Sequence, residues 1–364
     1  MKVIRPGDVG EPVRDVQHRL IALGHRIDPT ELDGSFGPTT QAAIRAFQQQ
    51  RGLPTDGLVG TATWGELVEA GWRLGDRTLY LRSPSFRGDD VRDLQRRLNA
   101  LGFDTGREDG IFGERTGTAV VEFQRNMAVA ADGVVGLDTV RSLERLRPTL
   151  EGPSRAVVRE DEAVRHMEGS LDGSTIAIDP GGRPSDPAEP GPDGRTEHEV
   201  TMRLAAALAD ELGRRGSRPL IVRVGNEDPP DPLRAERANR AGAAACVSIR
   251  LGGPERSSGA ACIFYGTPTT HSPAGRRLAE LILSELVDLG LRDAGTYPMA
   301  LPILRETQMP AVQVEPFGWD DPDRSRLDDP GFPTALVRAV VSGLEGLFRV
   351  REVPEPSRAR RPAP

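Results

Sequence analysis

The sequence predicts a multidomain protein in which two small all-α helical bundles precede an α/β domain with a mostly parallel sheet. Three observations carry this. The chain has 364 residues, more than one compact core usually holds. Residues 1–147 contain an internal repeat at helical spacing. From Thr175 onward, short apolar runs alternate with amphipathic helical patterns, the order expected of strands joined by crossover helices.

The repeat is explicit. Val13-Arg14-Asp15-Val16-Gln17 through Leu23-Gly24 returns 78 positions later as Val91-Arg92-Asp93-Leu94-Gln95 through Leu101-Gly102. Asp33-Gly34-Ser35-Phe36-Gly37 returns as Asp109-Gly110-Ile111-Phe112-Gly113, and Ala43 to Gln48 as Ala119 to Gln124, now offset by 76. The second copy therefore lacks two residues in the intervening loop. Val13, Val16, Leu20 and Leu23, then Ala43, Ile44 and Phe47, step at helical intervals. Each copy reads as two longer helices and a short third one, with Gly24 and Gly102 as helix stops and Asp-Gly pairs at 33, 56, 109 and 132 as turns. The two units occupy 1–75 and 76–147. Residues 148–174, with Pro148, Pro153 and the charged run Arg159-Glu160-Asp161-Glu162, read as a linker with a short helix over 160–166.

The α/β domain is expected over 175–349. Residues 175–178 form a strand ending in the turn Asp179-Pro180-Gly181-Gly182. Val200, Leu204, Leu208 and Leu212 recur every fourth residue behind Glu197 and Glu199, marking an amphipathic helix with acidic residues in its first turn. Strands follow over 220–224, 244–251, 260–265 and 311–314, and helices over 233–241, 274–289 and 334–348. The proline- and arginine-rich stretch 350–364 reads as a disordered tail.

Composition narrows function. There are 47 basic and 54 acidic side chains, a net charge of −7, so no general attraction to nucleic acid or anionic membrane is expected. Every cation except Lys2 is an arginine. Cys246 and Cys262 sit among small and apolar residues outside any CxxC or Cys/His pattern, which excludes a disulfide scaffold and a finger-type zinc site. No stretch resembles a spanning helix and the N-terminus lacks an apolar secretory segment, so the expected location is the cytoplasm. The Gly-rich stretches lack phosphate-loop and dinucleotide spacing.

Open α/β sheets place their sites at the carboxyl ends of strands, which directs attention to Gly182, Glu197, Arg250 and Glu315. Each has a plainer reading. Asp179 to Gly182 is also an ordinary turn, Glu199 serves a helix N-terminus as well as Glu197, and Arg250 also fits a solvated strand-end charge. Glu315 closes an apolar strand, where an unpaired carboxylate is costly. Trp64 and Trp72, at the end of the first unit, fit core packing more readily than sugar stacking.

The motifs carry two resemblances. V-x-x-L-Q-x-x-L-x-x-L-G, D-G-x-F-G, A-h-x-x-F-Q and D-G-h-h-G-x-x-T over residues 7–69 and 86–146 resemble the peptidoglycan-binding module found beside bacterial cell-wall hydrolases. Residues 175–348 resemble the zinc-dependent N-acetylmuramoyl-L-alanine amidase family. The shared features are I-x-I-D-P-G at 176–181, a Glu opening the next helix, Leu233 with Arg237-Ala238-Asn239, Ser248-Ile249, and Leu304-Arg305-x-Thr307-x-Met309-Pro310-Ala311-Val312-x-Val314-Glu315. The amidase resemblance implies a zinc held by a His after D-P-G, by the helix-opening Glu and by the His of an S-I-H strand, with the last Glu as general base.

Here those positions read Gly182, Glu197, Arg250 and Glu315. Glycine has no donor side chain and a guanidinium cannot ligate a cation, whereas a catalytic zinc needs three protein ligands and a water. Glu197 is the one ligand position retained, and no cofactor is expected. Zinc returns only if His198 or His271 completes the site; adjacent helical residues such as Glu197 and His198 point about 100° apart, and the loop of His271 has no position assignable from sequence. If Glu197 and Glu315 converge, a cation is needed between them, which predicts a Glu197–Arg250–Glu315 cluster at the old metal position.

The whole architecture resembles the actinobacterial CwlM-type family. That resemblance implies a cytoplasmic, non-catalytic regulator or scaffold of peptidoglycan precursor synthesis that responds to serine/threonine phosphorylation. Its implied partners are UDP-N-acetylglucosamine 1-carboxyvinyltransferase and proteins of lipid-linked precursor export. After Phe348 this chain has no threonine and only Ser357, a departure that weakens the phosphorylation expectation. The rival classes are a zinc-dependent N-acetylmuramoyl-L-alanine amidase and a module that binds muropeptides or lipid-linked precursor without cutting them.

Overall fold

The computed structural model describes residues 3–146, 170–182, 194–223, 225, 227–252, 259–267, 270–318 and 321–349. The expected helix over 160–166 and the tail from 350 lie outside them.

Each repeat folds as its periodicity dictates. The first holds α1 (Glu11–Ala22), α2 (Pro38–Arg51) and α3 (Thr61–Glu69), and the second holds α4 (Asp89–Leu101), α5 (Glu114–Asn126) and α6 (Leu137–Leu146). The apolar stripes close separate cores, round Val16, Leu20, Ile44 and Phe47 in one and Leu94, Leu98, Val120 and Phe123 in the other. The glutamines repeated in both copies are structural. Gln95 Nε2 donates to Asp109 Oδ1 at 2.8 Å, to the Ile111 carbonyl and to Thr116 Oγ1, while Gly110 N donates to its Oε1 at 2.8 Å. Gln48 and Gln124 grip the turns after Asp56 and Asp132 in the same way. Gln17 differs. It reaches the Glu31 and Ser35 carbonyls and Thr40 Oγ1, and its repeat is the one with the longer loop. Trp64 packs partly buried against the first core with Arg19 over its ring, and Trp72 is more exposed beneath Arg77.

The α/β domain runs β1 (Thr175–Pro180), α7 (Glu197–Arg214), β2 (Arg218–Ile221), α8 (Asp231–Arg240), β3 (Ala245–Ile249), β4 (Ala260–Tyr265), α9 (Pro273–Asp288), β5 (Asp293–Met299), α10 (Pro302–Glu306), β6 (Ala311–Glu315) and α11 (Phe332–Phe348). The sheet order is β2-β1-β3-β6-β4-β5, and β4 and β5 run antiparallel to the other strands. The sheet is thus mostly parallel, as expected. Elements beyond those expected include β5, interrupted by Gly295 and Pro298, the single-turn α10 and a 3-10 helix over Pro322–Asp328. A proline survives in β5 because that strand is at the sheet's edge, where a missing N–H breaks no ladder. Residues at spacing two separate the faces. Ile176, Ile178, Val247, Ile249, Val312 and Val314 join α7, α9 and α11 in the larger core, whereas Ala177, Cys246, Ile263 and Ala311 meet α8 and α10 in the smaller. Leu171, within the expected linker, is buried in the larger core.

The repeats and the α/β domain are joined by buried charge. Arg305 of α10 pairs with Glu66 and Glu69 of α3. Arg87 pairs with Glu306 through two hydrogen bonds of 2.6 and 2.7 Å. Arg107 donates to the carbonyls of Leu304, Thr307 and Met309 and to Ser272 Oγ, and Ala300 N donates to the Gly52 carbonyl at 2.7 Å. Arg51 and Asp89 tie the two repeats together. Among the described residues these contacts gather before the start of β6 and after the ends of β4 and β5, so they leave the opposite end of the sheet, where β1, β3 and β6 finish, unoccupied.

Candidate functional site

The carboxyl ends of β1, β3 and β6 bring together the residues singled out from sequence. Pro180 pairs with Ile249 and Ile249 with Val314, and Arg250 N donates to the Val314 carbonyl at 3.0 Å. Gly182, Arg250 and Glu315 are therefore neighbours at one sheet end. Helix α7 begins there too, held by a capping box between Thr196 and Glu199. Glu199 is thus the capping residue, which leaves Glu197 to face the sheet: its Oε1 accepts from Leu251 N at 3.0 Å.

The first ligand position is closed by the backbone as well as lacking a donor. Gly182 has φ +65°, and a Cβ added there would lie 2.5 Å from His198 N and 2.9 Å from His198 Cα. A side chain of any kind meets both a left-handed backbone and the first turn of α7. The third position holds Arg250, whose side chain lies across Gly181. The expected cluster was Glu197–Arg250–Glu315. The three groups share the sheet end, but among the described residues no ion pair joins Arg250 to either carboxylate. Each carboxylate has another donor: Glu197 accepts from the Leu251 amide, and the buried Glu315 from Gln313 Nε2 at 2.7 Å.

Among the described residues neither His198 nor His271 completes a metal site. His198 Nδ1 lies 3.2 Å from Arg223 Nη2 and must accept there, because a guanidinium only donates. His271 follows β4, bridges to Gly266 and lies against Phe264. Phe264 pairs with Val312 and Ala261 with Glu315, so His271 belongs to the other end of β6, roughly 13 Å away at ~3.3 Å per residue. A catalytic zinc does not fit this donor set. Among the described residues no group of three His, Cys, Asp or Glu side chains is arranged to hold a metal.

Two arginines complete the site, and the sequence reading passed over both. Arg223 is 2% exposed; its Nη1 donates to the Gly182 carbonyl and its Nη2 to the Gly181 carbonyl at 2.6 Å. Burial, with Arg234 and then Arg250 nearby, pulls its pKa below the ordinary arginine value. Arg234 of α8 pairs with Asp179 and Asp231, and Ser248 Oγ donates to Asp179 Oδ2 at 2.7 Å. Strand β2 stops at Ile221, so Arg223 is a polar residue just past an apolar run. Placing that strand over 220–224 hid it.

Family models match this chain in the same order as its domains: "Putative peptidoglycan binding domain" over 9–67 and 87–143, and "N-acetylmuramoyl-L-alanine amidase" over 176–346. The protein named N-acetylmuramoyl-L-alanine amidase CwlM of Mycobacterium tuberculosis is 36% identical over 364 aligned positions, covering 95% of this chain and 89% of that protein. N-acetylmuramoyl-L-alanine amidase CwlL of Bacillus licheniformis is 34% identical over 164 positions, covering 40% of this chain and 46% of its own length. The solved structure of the amidase Ami1 from Mycobacterium smegmatis superposes with a TM-score of 0.45 at 22% identity, covering 50% of this chain and 99% of that one. Two peptidoglycan-binding domains followed by an amidase-fold domain, with near full-length similarity to one relative, establish that the chain belongs to the CwlM-type family.

Proposed function

We propose that this chain is a non-catalytic regulator or scaffold of peptidoglycan precursor synthesis, acting in the cytoplasm by protein contact. The observation that supports it is Gly182. Its left-handed backbone, pressed against His198, denies the first metal-ligand position to any side chain, and Arg250 fills the third with a fixed cation. The family's hydrolysis depends on a metal that lowers the pKa of a bound water, and Glu197 alone is a poor holder for one. The charged seam that fixes both repeats to the far end of the sheet also suits a rigid scaffold. The partner proposed by resemblance is UDP-N-acetylglucosamine 1-carboxyvinyltransferase.

A second reading, zinc-dependent N-acetylmuramoyl-L-alanine amidase, is favoured by the presence of Glu197 and Glu315 at the same sheet end and by the name of the mycobacterial relative. The deciding experiment measures zinc content of untagged protein together with muramoyl-alanine cleavage on purified peptidoglycan, with Glu315→Gln as control. The proposal expects neither zinc nor turnover, and expects the carboxyvinyltransferase rate to change when this chain is added. Near-stoichiometric zinc with turnover abolished by Glu315→Gln would establish the amidase instead.

A further inference from the structure

At this sheet end a cation-binding donor set has given way to a cationic one. We propose that Arg250, lying against Gly181 beside the buried Arg223, forms a binding site for an oxyanion, the carboxylate or phosphate group of a ligand entering at the carboxyl ends of β1 and β3. The inference rests on the non-catalytic reading, since it sets a guanidinium where that reading loses the metal.

Charge at this sheet end is unevenly partnered. Asp179 is held by Arg234 and Ser248, Asp231 by Arg234, Glu197 by the Leu251 amide and Glu315 by Gln313. The carboxylates of the site therefore already have protein donors. The guanidinium groups do not all have carboxylates. Arg223 spends its two Nη atoms on the Gly181 and Gly182 carbonyls and on His198, and its buried Nε has no partner. Arg250 is half-buried, and among the described residues its guanidinium makes no hydrogen bond or ion pair. A partly desolvated guanidinium with unused donors is costly until an acceptor arrives, and its planar fork matches carboxylate and phosphate oxygens.

The surroundings agree with an anion. The 18-residue helix α7 directs its N-terminus here, and the carboxyl ends of parallel strands are where open α/β sheets receive ligands. The contacts of both repeats lie at the other end. Arg234 and Arg250 both disfavour the charged form of Arg223, with Asp179 and Asp228 offsetting them in part; a bound anion would relieve that repulsion.

The test is calorimetric titration of the full chain at low ionic strength with two probes, inorganic phosphate and N-acetyl-dialanine. At least one is expected to bind saturably. Arg250→Gln should weaken it about tenfold or more, the scale of a lost charge-assisted hydrogen bond. Arg250→Lys should retain part of the affinity, and Arg82→Gln on the second repeat all of it. Saturation by phosphate alone assigns a phosphoryl source, and saturation by the dipeptide alone assigns a peptide terminus. Should Arg250→Gln misfold, phenylglyoxal modification of Arg250 in the unaltered protein, read by peptide mass spectrometry, should slow at saturating probe. Binding of neither probe, undiminished binding by a folded Arg250→Gln, or no protection of Arg250 would each overturn the proposal. The titration reads no turnover, so its failure leaves the non-catalytic reading to the zinc and cleavage assay, and turnover there defeats that reading whatever the titration gives.

Discussion

Arg305 of the α/β domain forms an ion pair with Glu66 of the first repeat, and both side chains are only 6% exposed. Glu69 stands 3.3 Å from the same Nη1, and Glu306 3.6 Å from Nη2. The pair crosses the boundary between domains that the sequence treats as separate. Burying such a group is favourable only while its partners remain. Arg305→Met should leave Glu66 and Glu69 buried without their cation, a loss of about 3–5 kcal/mol. Chemical denaturation should then resolve two transitions, one for the repeats and one for the α/β domain; a single transition at the unaltered midpoint would show that the seam does not couple them.

Acidity should act on this seam through Glu69. Burial, more than its neighbours, raises the Glu69 pKa, with Arg305 opposing and Glu66 assisting. A carboxylate whose folded pKa is raised contributes stability that is complete below its unfolded pKa and is lost as pH climbs through the folded value. The stability of the parent protein relative to Glu69→Gln should therefore be greater near pH 4 than near pH 8. Denaturation midpoints of both proteins across that range provide the check, and parallel curves would count against it.

The glutamine clamps make a sharper stability claim. Gln95→Leu removes three donated hydrogen bonds and leaves the buried Gly110 N and the half-buried Asp109 without that partner. A buried donor or acceptor left unsatisfied costs about 1–3 kcal/mol. Gln17→Leu should cost less, because Gln17 Oε1 has no partner to lose. Thermal unfolding of the two variants should rank them in that order, and the reverse order would contradict the clamp.

What the sequence revealed and concealed follows from the range of each interaction. Helix spacing and the recurrence of Val13 to Gln17 at Val91 to Gln95 are local patterns, so both bundles were legible. So was the strand-end location of Gly182, Glu197, Arg250 and Glu315, because apolar runs mark where strands stop. Edge strand β5 was not, since Gly295 and Pro298 erase the usual strand pattern and only pairing with β4 makes it a strand. The engagement of Glu197 by Leu251 N, 54 residues away, and the seam from Arg87 to Glu306 are set by tertiary packing, on which spacing is silent. Arg223 lay within reach of the strand-end rule and was hidden by a boundary three residues too long.

A metal site at this sheet end should be hard to build. Restoring histidine at both changed positions, Gly182→His with Arg250→His, recreates the family's donor list on paper. The backbone opposes it. At φ +65° a side chain costs roughly 1–2 kcal/mol, and the new Cβ would meet His198 N and Cα at 2.5 and 2.9 Å, so the start of α7, which carries Glu197, would have to shift. Moving that turn displaces the one carboxylate ligand that remains, and removing Arg250 leaves the buried Arg223 still presenting positive charge beneath Gly181 and Gly182. The double variant is therefore expected to lose stability relative to Arg250→His alone and to stay without stoichiometric zinc after equilibrium dialysis. Tight zinc binding with unchanged stability would mean that the donors, and not the backbone at Gly182, limit metal binding at this sheet end.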